Sequence, residues 1–321
     1  MYEAAVIGGG PAGLAATMYC IRKGLDVQLI TTTLGGKTSH SLSLPDMSEY
    51  HIIKAREQVK VFQGQIEYLN HTWKKTRVTK IQETENGFHL TLDSAKNSPP
   101  ATGPSTSGPS TSDAERIIIA TGTHPTPLNI PGESEFFGKA LGTSAISYSH
   151  LLRDQHVVVI GDSDRSIEAA MECAEQCSTV SLVLEPHATY SHRHLELLGK
   201  RVNVNIYNGY RPLRFEGDTF ARNVTICRGA SDRTDSTPEK DITADAFFVE
   251  REPRPNSALV ADLVERTPAG AIRINERNET SNKRIFAAGD VTTVGTEQIL
   301  VALGEGARAG LSAYRQYTMQ V

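Results

Sequence analysis

The stretch Ala4-Ala5-Val6-Ile7-Gly8-Gly9-Gly10-Pro11-Ala12-Gly13-Leu14 decides the fold of this chain. Four apolar residues suit a buried parallel strand, and Gly8-x-Gly10-x-x-Gly13 follows at once. Leu14-Ala15-Ala16-Thr17-Met18-Tyr19-Cys20 then continues as a helix. Gly8 makes the tight turn, Gly10 lets a pyrophosphate approach the backbone, and Gly13 lets helix pack on strand. The helix start offers unpaired N–H groups and a positive dipole end to phosphate. This strand, turn and helix imply an adenine-dinucleotide site.

Further elements repeat the pattern. Ile117-Ile118-Ile119-Ala120-Thr121-Gly122 reads as a buried strand closed by small residues, and Val157-Val158-Val159-Ile160-Gly161 opens a second strand–turn–helix unit. Arg284-Ile285-Phe286-Ala287-Ala288-Gly289-Asp290 is another apolar strand, and 298–314 reads as a helix. The expected fold is α/β: two Rossmann-like three-layer nucleotide-binding domains, one inserted in the other. At 321 residues, the length suits two domains.

Composition narrows the function classes. With 39% hydrophobic and 22% charged residues, the chain can bury a core, and a net charge of −4 gives no basic balance for nucleic acid. No apolar run approaches the roughly 18–20 residues of a membrane span. The start of the chain shows no basic leader, so a cytoplasmic protein is expected. Of the four cysteines, Cys173 and Cys177 are close in sequence. They are expected on one face of a helix, either as small packing residues or as a relocated redox pair. His192-Arg193-His194 is not read as a metal site, because i and i+2 point to different sides of a helix.

The Gly8–Gly13 fingerprint, Ala120-Thr121-Gly122 and Phe286-Ala287-Ala288-Gly289-Asp290-Val291 resemble the FAD signatures of the pyridine nucleotide–disulfide oxidoreductases. The length and spacing resemble the low-molecular-weight thioredoxin reductase branch. That resemblance implies a discontinuous FAD domain over 1–122 and 246–321, an inserted NAD(P)-binding-like domain over 123–245, and a homodimer. It also implies that Asp290 bonds the ribityl chain. Gln298 and Ile299 would serve the flavin, with Glu297 standing where the family commonly has arginine. Thr31 follows the second strand, Val27-Gln28-Leu29-Ile30, without the acid that usually grips a ribose. Gly35-Gly36-Lys37 resembles the Gly-Gly-Gln flavin contact, with lysine replacing glutamine. Lys37 is expected either to favour negative charge on the reduced ring or to sit in an exposed loop.

The remaining chemistry of the family is missing. Ser144 and Ser147 stand where the Cys-x-x-Cys dithiol belongs. Serine has no thiol–disulfide exchange chemistry, so an ordinary thioredoxin reductase mechanism is excluded. The inner glycine turn is degenerate: it reads Gly161-Asp162-Ser163-Asp164-Arg165-Ser166, and the next strand, 180–184, leads into Glu185-Pro186-His187. Side chains and acids there oppose pyrophosphate and a 2′-phosphate, arguing against ordinary NADPH binding. The surviving frame leaves room for a second nucleotide or flavin. Residues 94–113, rich in Pro, Gly, Ser and Thr, are expected to form a flexible insertion.

The leading expectation is an FAD-dependent oxidoreductase fed by ferredoxin, flavodoxin or a small reductant. Alternatives are a diflavin variant using Cys173/Cys177, a redox-silent FAD-binding regulator, and a ferredoxin–NADP reductase of thioredoxin reductase type. A thioredoxin-like protein is a further candidate partner.

Overall fold

The computed structural model describes residues 1–39, 42–44, 55–69, 72–93, 110–229 and 238–319. The chain runs through β1 (Ala4–Ile7), α1 (Pro11–Arg22), β2 (Val27–Ile30), α2 (Ala55–Tyr68) and β3 (Trp73–Lys74). It continues with β4 (Val78–Thr84), β5 (Gly87–Leu92), β6 (Thr111–Ala114), β7 (Ile117–Ile119) and β8 (Thr123–His124). A second set follows: α3 (Glu133–Phe136), β9 (Leu141–Gly142), α4 (Ala145–Tyr148), β10 (His156–Ser163), α5 (Asp164–Cys173), β11 (Thr179–Thr189), α6 (His192–Leu198) and β12 (Val204–Asn208). Next come β13 (Tyr210–Gly217), β14 (Ala221–Arg228), β15 (Lys240–Thr243) and β16 (Ala246–Val249). The chain ends with β17 (Arg254–Pro255), β18 (Ile285–Ala287) and α7 (Ile299–Met319).

These elements form two units: 1–39, 52–124 and 254–321 make the first, and 40–51 with 125–253 the second. The first holds a parallel sheet of order β18-β7-β1-β2-β3. Strand periodicity splits its side chains between two layers. Ala4, Val6, Ile118 and Phe286 pack with α1, α2 and α7, among them Leu14, Val59, Ile66 and Ala309. Ala5, Ile7, Ile117, Ile119 and Ile285 face the antiparallel β4-β5-β6 meander through Phe88, Leu90 and Leu92. Burial on both faces explains why these strands read as unbroken apolar runs.

The second unit repeats this plan with a parallel sheet of order β12-β11-β10-β16-β9 and a β13-β14-β15 meander. Val157 and Val159 pack on the α5 side with Ile167 and Ala170. Val158 and Ile160 pack on the meander side with Phe215, Val224 and Ile226. The architecture is therefore two three-layer α/β units, as the sequence leads one to expect.

Several boundaries differ. Ala246–Val249 pairs with β10 in the inner sheet, so the return to the first unit falls at 253/254, not at 246. Any buried parallel strand is an apolar run, and the sequence of 246–249 does not say which sheet claims it. Residues 42–44 also belong to the second unit, where Ser43 bridges Lys139. The insertion expected over 94–113 overlaps real structure at its end: Thr111–Ala114 pairs with β5, while 94–109 lie outside the described residues. No helix among the described residues is long and apolar enough to cross a membrane.

Candidate functional site

In the first unit the carboxyl ends of β1, β2, β7 and β18 open onto one edge, where ligands of open α/β sheets bind. At the end of β1, Gly8 takes φ +113°, and a Cβ there would meet Ala120 O at 2.3 Å. A Cβ on Gly13 would meet Gly8 O at 1.8 Å, so helix, turn and strand lie in direct backbone contact. Gly10 is different: a Cβ there would meet nothing within 4 Å. That open cradle sits at the N-cap of α1, where Pro11 takes the first turn and no side chain caps the helix. The N–H groups of its first turn, those of Ala12 and Gly13 among them, have no partner within the helix.

The other expected residues gather at the same edge. Ala120 N donates to Ile7 O at 2.9 Å, Thr121 Oγ1 donates to Asn256 O at 2.7 Å, and Gly122 turns with φ +63°. Gly289 turns with φ +77° against Ala12 and places Asp290 beside the cradle's helix. Gly36 packs against Gly10: a Cβ on Gly36 would lie 2.9 Å from Gly10 Cα. Thr31 Oγ1 donates to Thr33 O at 2.8 Å, leaving the hydroxyl only as an acceptor. Gln298 is exposed just before α7, which opens at Ile299.

Lys37 is exposed, as one of its two expected readings has it, but it has partners. Its Nζ lies 2.7 Å from Asp290 Oδ2, 2.7 Å from Glu297 Oε1 and 2.8 Å from Thr123 Oγ1. Lys37 and Glu297, two first-unit residues that the sequence reading takes as departures from the family pattern, are therefore paired with each other. Three further glycines, none of them in the fingerprint's fixed positions, are equally confined. A Cβ on Gly9 would strike Thr33 O at 2.4 Å, and one on Gly306 would strike Ala12 O at 1.9 Å. Gly310 similarly faces Ala16 O at 2.8 Å. The spacing of Gly306 and Gly310, one turn apart on the last helix, is the sequence signal of its close crossing with α1.

In the second unit β10 runs past its glycine turn. After a bulge between Gly161 and Ser163, Ser163 pairs with Thr189, so β11 extends well beyond the expected end at 184. The crevice where a Rossmann fold takes its dinucleotide is thus lined by continued strand. Arg251 donates Nε to Glu185 Oε1 at 2.7 Å and grips Oε2 with a second nitrogen, and its third nitrogen donates to Pro127 O at 2.7 Å. Asp164, the first residue of α5, accepts from Ser191 N with both oxygens at 3.0 and 3.1 Å and meets His194 Nδ1 at 3.0 Å. These contacts, the Ser191 hydrogen bonds first, hold its carboxyl below the usual range. Burial, then the nearby Glu185 carboxylate, pushes Asp162 up. Its Oδ1 is buried with no hydrogen-bond partner.

Ser144 adopts φ +64°, and its Oγ lies 2.8 Å from Ser147 Oγ. Buried Glu250 accepts from Ala145 N at 2.6 Å and from Arg165 Nε at 3.0 Å. Cys173 ends α5, and Cys177 sits in the turn beyond, so the two do not share a helix as expected. Both are buried in the α5 core. Hydrogen bonding with Cys177 and burial push the Cys173 thiol up. No metal-binding cluster occurs among the described residues.

The first unit thus has the architecture of a protein that binds an adenine dinucleotide at the edge of a parallel sheet. The chain belongs to the pyridine nucleotide-disulphide oxidoreductase family, which it matches over residues 2–306. It is 28% identical over 325 residues to the F component of alkyl hydroperoxide reductase from Pseudomonas putida, a match covering 98% of this chain and 58% of that protein. The chain therefore spans little more than half of such curated relatives. Among solved structures, thioredoxin reductase from Streptococcus pyogenes aligns with TM-score 0.83 at 23% identity, over 99% of both chains. That of Giardia duodenalis aligns with TM-score 0.82 at 23% identity, again over 99% of both.

Proposed function

We propose that the chain is an FAD-dependent oxidoreductase whose flavin takes electrons from a donor other than NADPH. Family membership implies FAD, and the first unit fits it. Gly10 leaves the diphosphate room, the uncapped α1 start supplies N–H donors, and Asp290 stands at the end of β18. When bound, the flavin would supply the redox chemistry. The chain's own residues would hold it. Gly8, Gly10, Pro11, Ala12 and Gly13 would cradle the diphosphate; Gly36, Ala120, Thr121, Gly122 and Gly289 would shape the walls; Gln298 and the start of α7 at Ile299 would bond the ring.

The observation that carries the donor reading is the pairing of Ser163 with Thr189 beyond Gly161. A dinucleotide needs that space, and it needs bare N–H groups at the start of α5. Instead Asp164 stands there, and Glu185, which occupies the sequence position where the family has its 2′-phosphate cluster, is engaged by Arg251. The Ser144/Ser147 pair removes the dithiol route. Ferredoxin, flavodoxin or a small reductant reaching the ring would then feed the flavin, in a cytoplasmic homodimer.

The test is anaerobic addition of excess NADPH to the purified protein, following the oxidised-flavin absorption band. The band should persist with NADPH and bleach with dithionite or with reduced ferredoxin. Rapid bleaching by NADPH would overturn the donor reading.

A further inference from the structure

Thr31 follows the last residue of β2, about 20 residues past the glycine fingerprint, where an acid ordinarily accepts from a ribose hydroxyl. The two residues of β3 grip its backbone from both sides. Thr31 N donates to Lys74 O at 3.2 Å, and Thr31 O accepts from the Trp73 indole Nε1 at 3.0 Å. The Thr31 side chain lies over the bare centre of the fingerprint turn: a Cβ on Gly9 would meet Thr31 Cγ2 at 2.7 Å and Oγ1 at 2.9 Å. The hydroxyl gives its one proton to Thr33 O at 2.8 Å, so what remains to it is acceptance. Trp73 is half-buried against the α1 side of the core, with the Lys75 ammonium 5.8 Å from its ring centroid. Indole offers a single donor, and here that donor goes to Thr31.

We propose that Thr31 Oγ1 stands in for the missing acid as acceptor for a ribose hydroxyl of the bound adenosine, and that Trp73 is the positioning residue that holds it there. The proposal rests on the reading that FAD occupies the first unit. Ribose hydroxyls supply the donor that the Thr31 oxygen lacks. A hydroxyl acceptor is neutral, and its bond to ribose is about half as strong as a charge-assisted one. Such a bond depends on a fixed acceptor position, and β3 has only two residues to fix it. The indole bond adds an anchor that the short ladder does not provide. Trp73 acts through the Thr31 backbone, so its loss is felt by a ligand that carries the partner hydroxyl.

The test compares FAD with two analogues whose adenosine lacks either the 2′- or the 3′-hydroxyl. Dissociation constants would be measured by flavin fluorescence on the full chain, freed of flavin and reloaded. In the wild-type protein one of the two analogues should bind about fivefold more weakly than FAD, the worth of one neutral hydrogen bond. Thr31→Val keeps the side-chain shape; it should weaken FAD by the same factor and leave that analogue unaffected. Thr31→Ser, which keeps the hydroxyl, should keep the preference for FAD. Trp73→Phe retains a ring against the core and should shrink the preference, and added to Thr31→Val it should change it no further. Equal binding of FAD and both analogues to the wild-type protein would overturn the proposal. So would variants that weaken all three ligands by one factor, the mark of a merely structural role. Failure of the wild-type protein to take up FAD at all would instead overturn the cofactor reading beneath it.

Discussion

Ser144 Oγ and Ser147 Oγ lie 2.8 Å apart, joined by a hydrogen bond at the two positions where the sequence resemblance would put a dithiol. The short α4 turn brings them together: Ser147 N donates to Ser144 O at 2.8 Å, and Glu250 holds Ala145 N. A disulfide needs Cβ atoms about 3.5–4.5 Å apart, a spacing compatible with touching hydroxyls. The double variant Ser144→Cys/Ser147→Cys should therefore form an intramolecular disulfide under mild oxidation. Thiol counting would read two reactive groups lost on oxidation and regained with reductant. Two thiols that stay reduced would mean that the serines have drifted out of dithiol geometry.

The inner crevice makes a pH prediction through Asp162. Burial and then Glu185 raise its folded pKa above the unfolded value, so the folded state binds the proton more tightly. Stability from this group is present below the unfolded pKa and is lost as pH rises through the folded pKa. At neutral pH Asp162 thus opposes folding, and its buried Oδ1 lacks a partner. Asp162→Asn should raise the melting temperature at pH 7, and the gain should shrink toward pH 4. Melting curves at the two pH values check the sign; an equal gain at both would remove the titration argument.

Arg251 sits beside the same group, and its side chain and that of Glu185 are 20% and 14% exposed. Arg251→Ala leaves Glu185 facing Asp162 without its two-pronged partner. The expected loss is about 1.5–3 kcal/mol in denaturant unfolding, as for hydrogen bonds to charged groups. NADPH should still fail to bleach the flavin in this variant, because the Ser163 and Thr189 pairing stays. Bleaching would show that the Arg251 clamp, not the strand, closes the crevice.

The crossing of α1 and α7 depends on Gly306, whose added Cβ would lie 1.9 Å from Ala12 O. Backbone cannot yield as a flexible side chain does, so Gly306→Ala should push α7 off α1. A cost of about 1–3 kcal/mol is expected from overpacking. Ala12 belongs to the proposed diphosphate cradle, so the variant should also lose FAD on purification. Full flavin content with unchanged stability would show that the helices can separate without disturbing the cradle.

What the sequence discloses follows the range of the interactions. Gly8, Gly10 and Gly13 share one strand–turn–helix, so their spacing reveals them, although the residue that confines Gly8, Ala120, is remote in sequence. The partner of Ala246–Val249 is a strand remote in sequence, and any apolar run fits either sheet. Strand β11 continues through Pro186, a residue that ordinarily marks a strand's limit, so its pairing with Ser163 has no local signature. Lys37 and Glu297 are 260 positions apart. Each shows in the sequence as a departure from pattern, one gaining a positive charge and the other a negative one. Their complementarity becomes legible only when both are placed at one edge.

Cys173 and Cys177 bear on whether a relocated dithiol replaces the missing one. Thiolate is the reactive form; the bond with Cys177 and burial push the Cys173 thiol up, while the same bond draws the Cys177 thiol down. Both residues sit in the core with Ile167, Val180 and Leu182, and Asn203 Nδ2 pins the turn by donating to Ala174 O at 3.0 Å and Cys177 O at 3.1 Å. That environment suits packing rather than exchange. Cys173→Ala and Cys177→Ala should each leave flavin turnover with dithionite-reduced ferredoxin unchanged, while lowering stability by about 1 kcal/mol through lost buried volume. In the native protein, both thiols should resist alkylation until denaturant is added. A large loss of turnover in either variant, with flavin content intact, would instead make this pair part of the electron path.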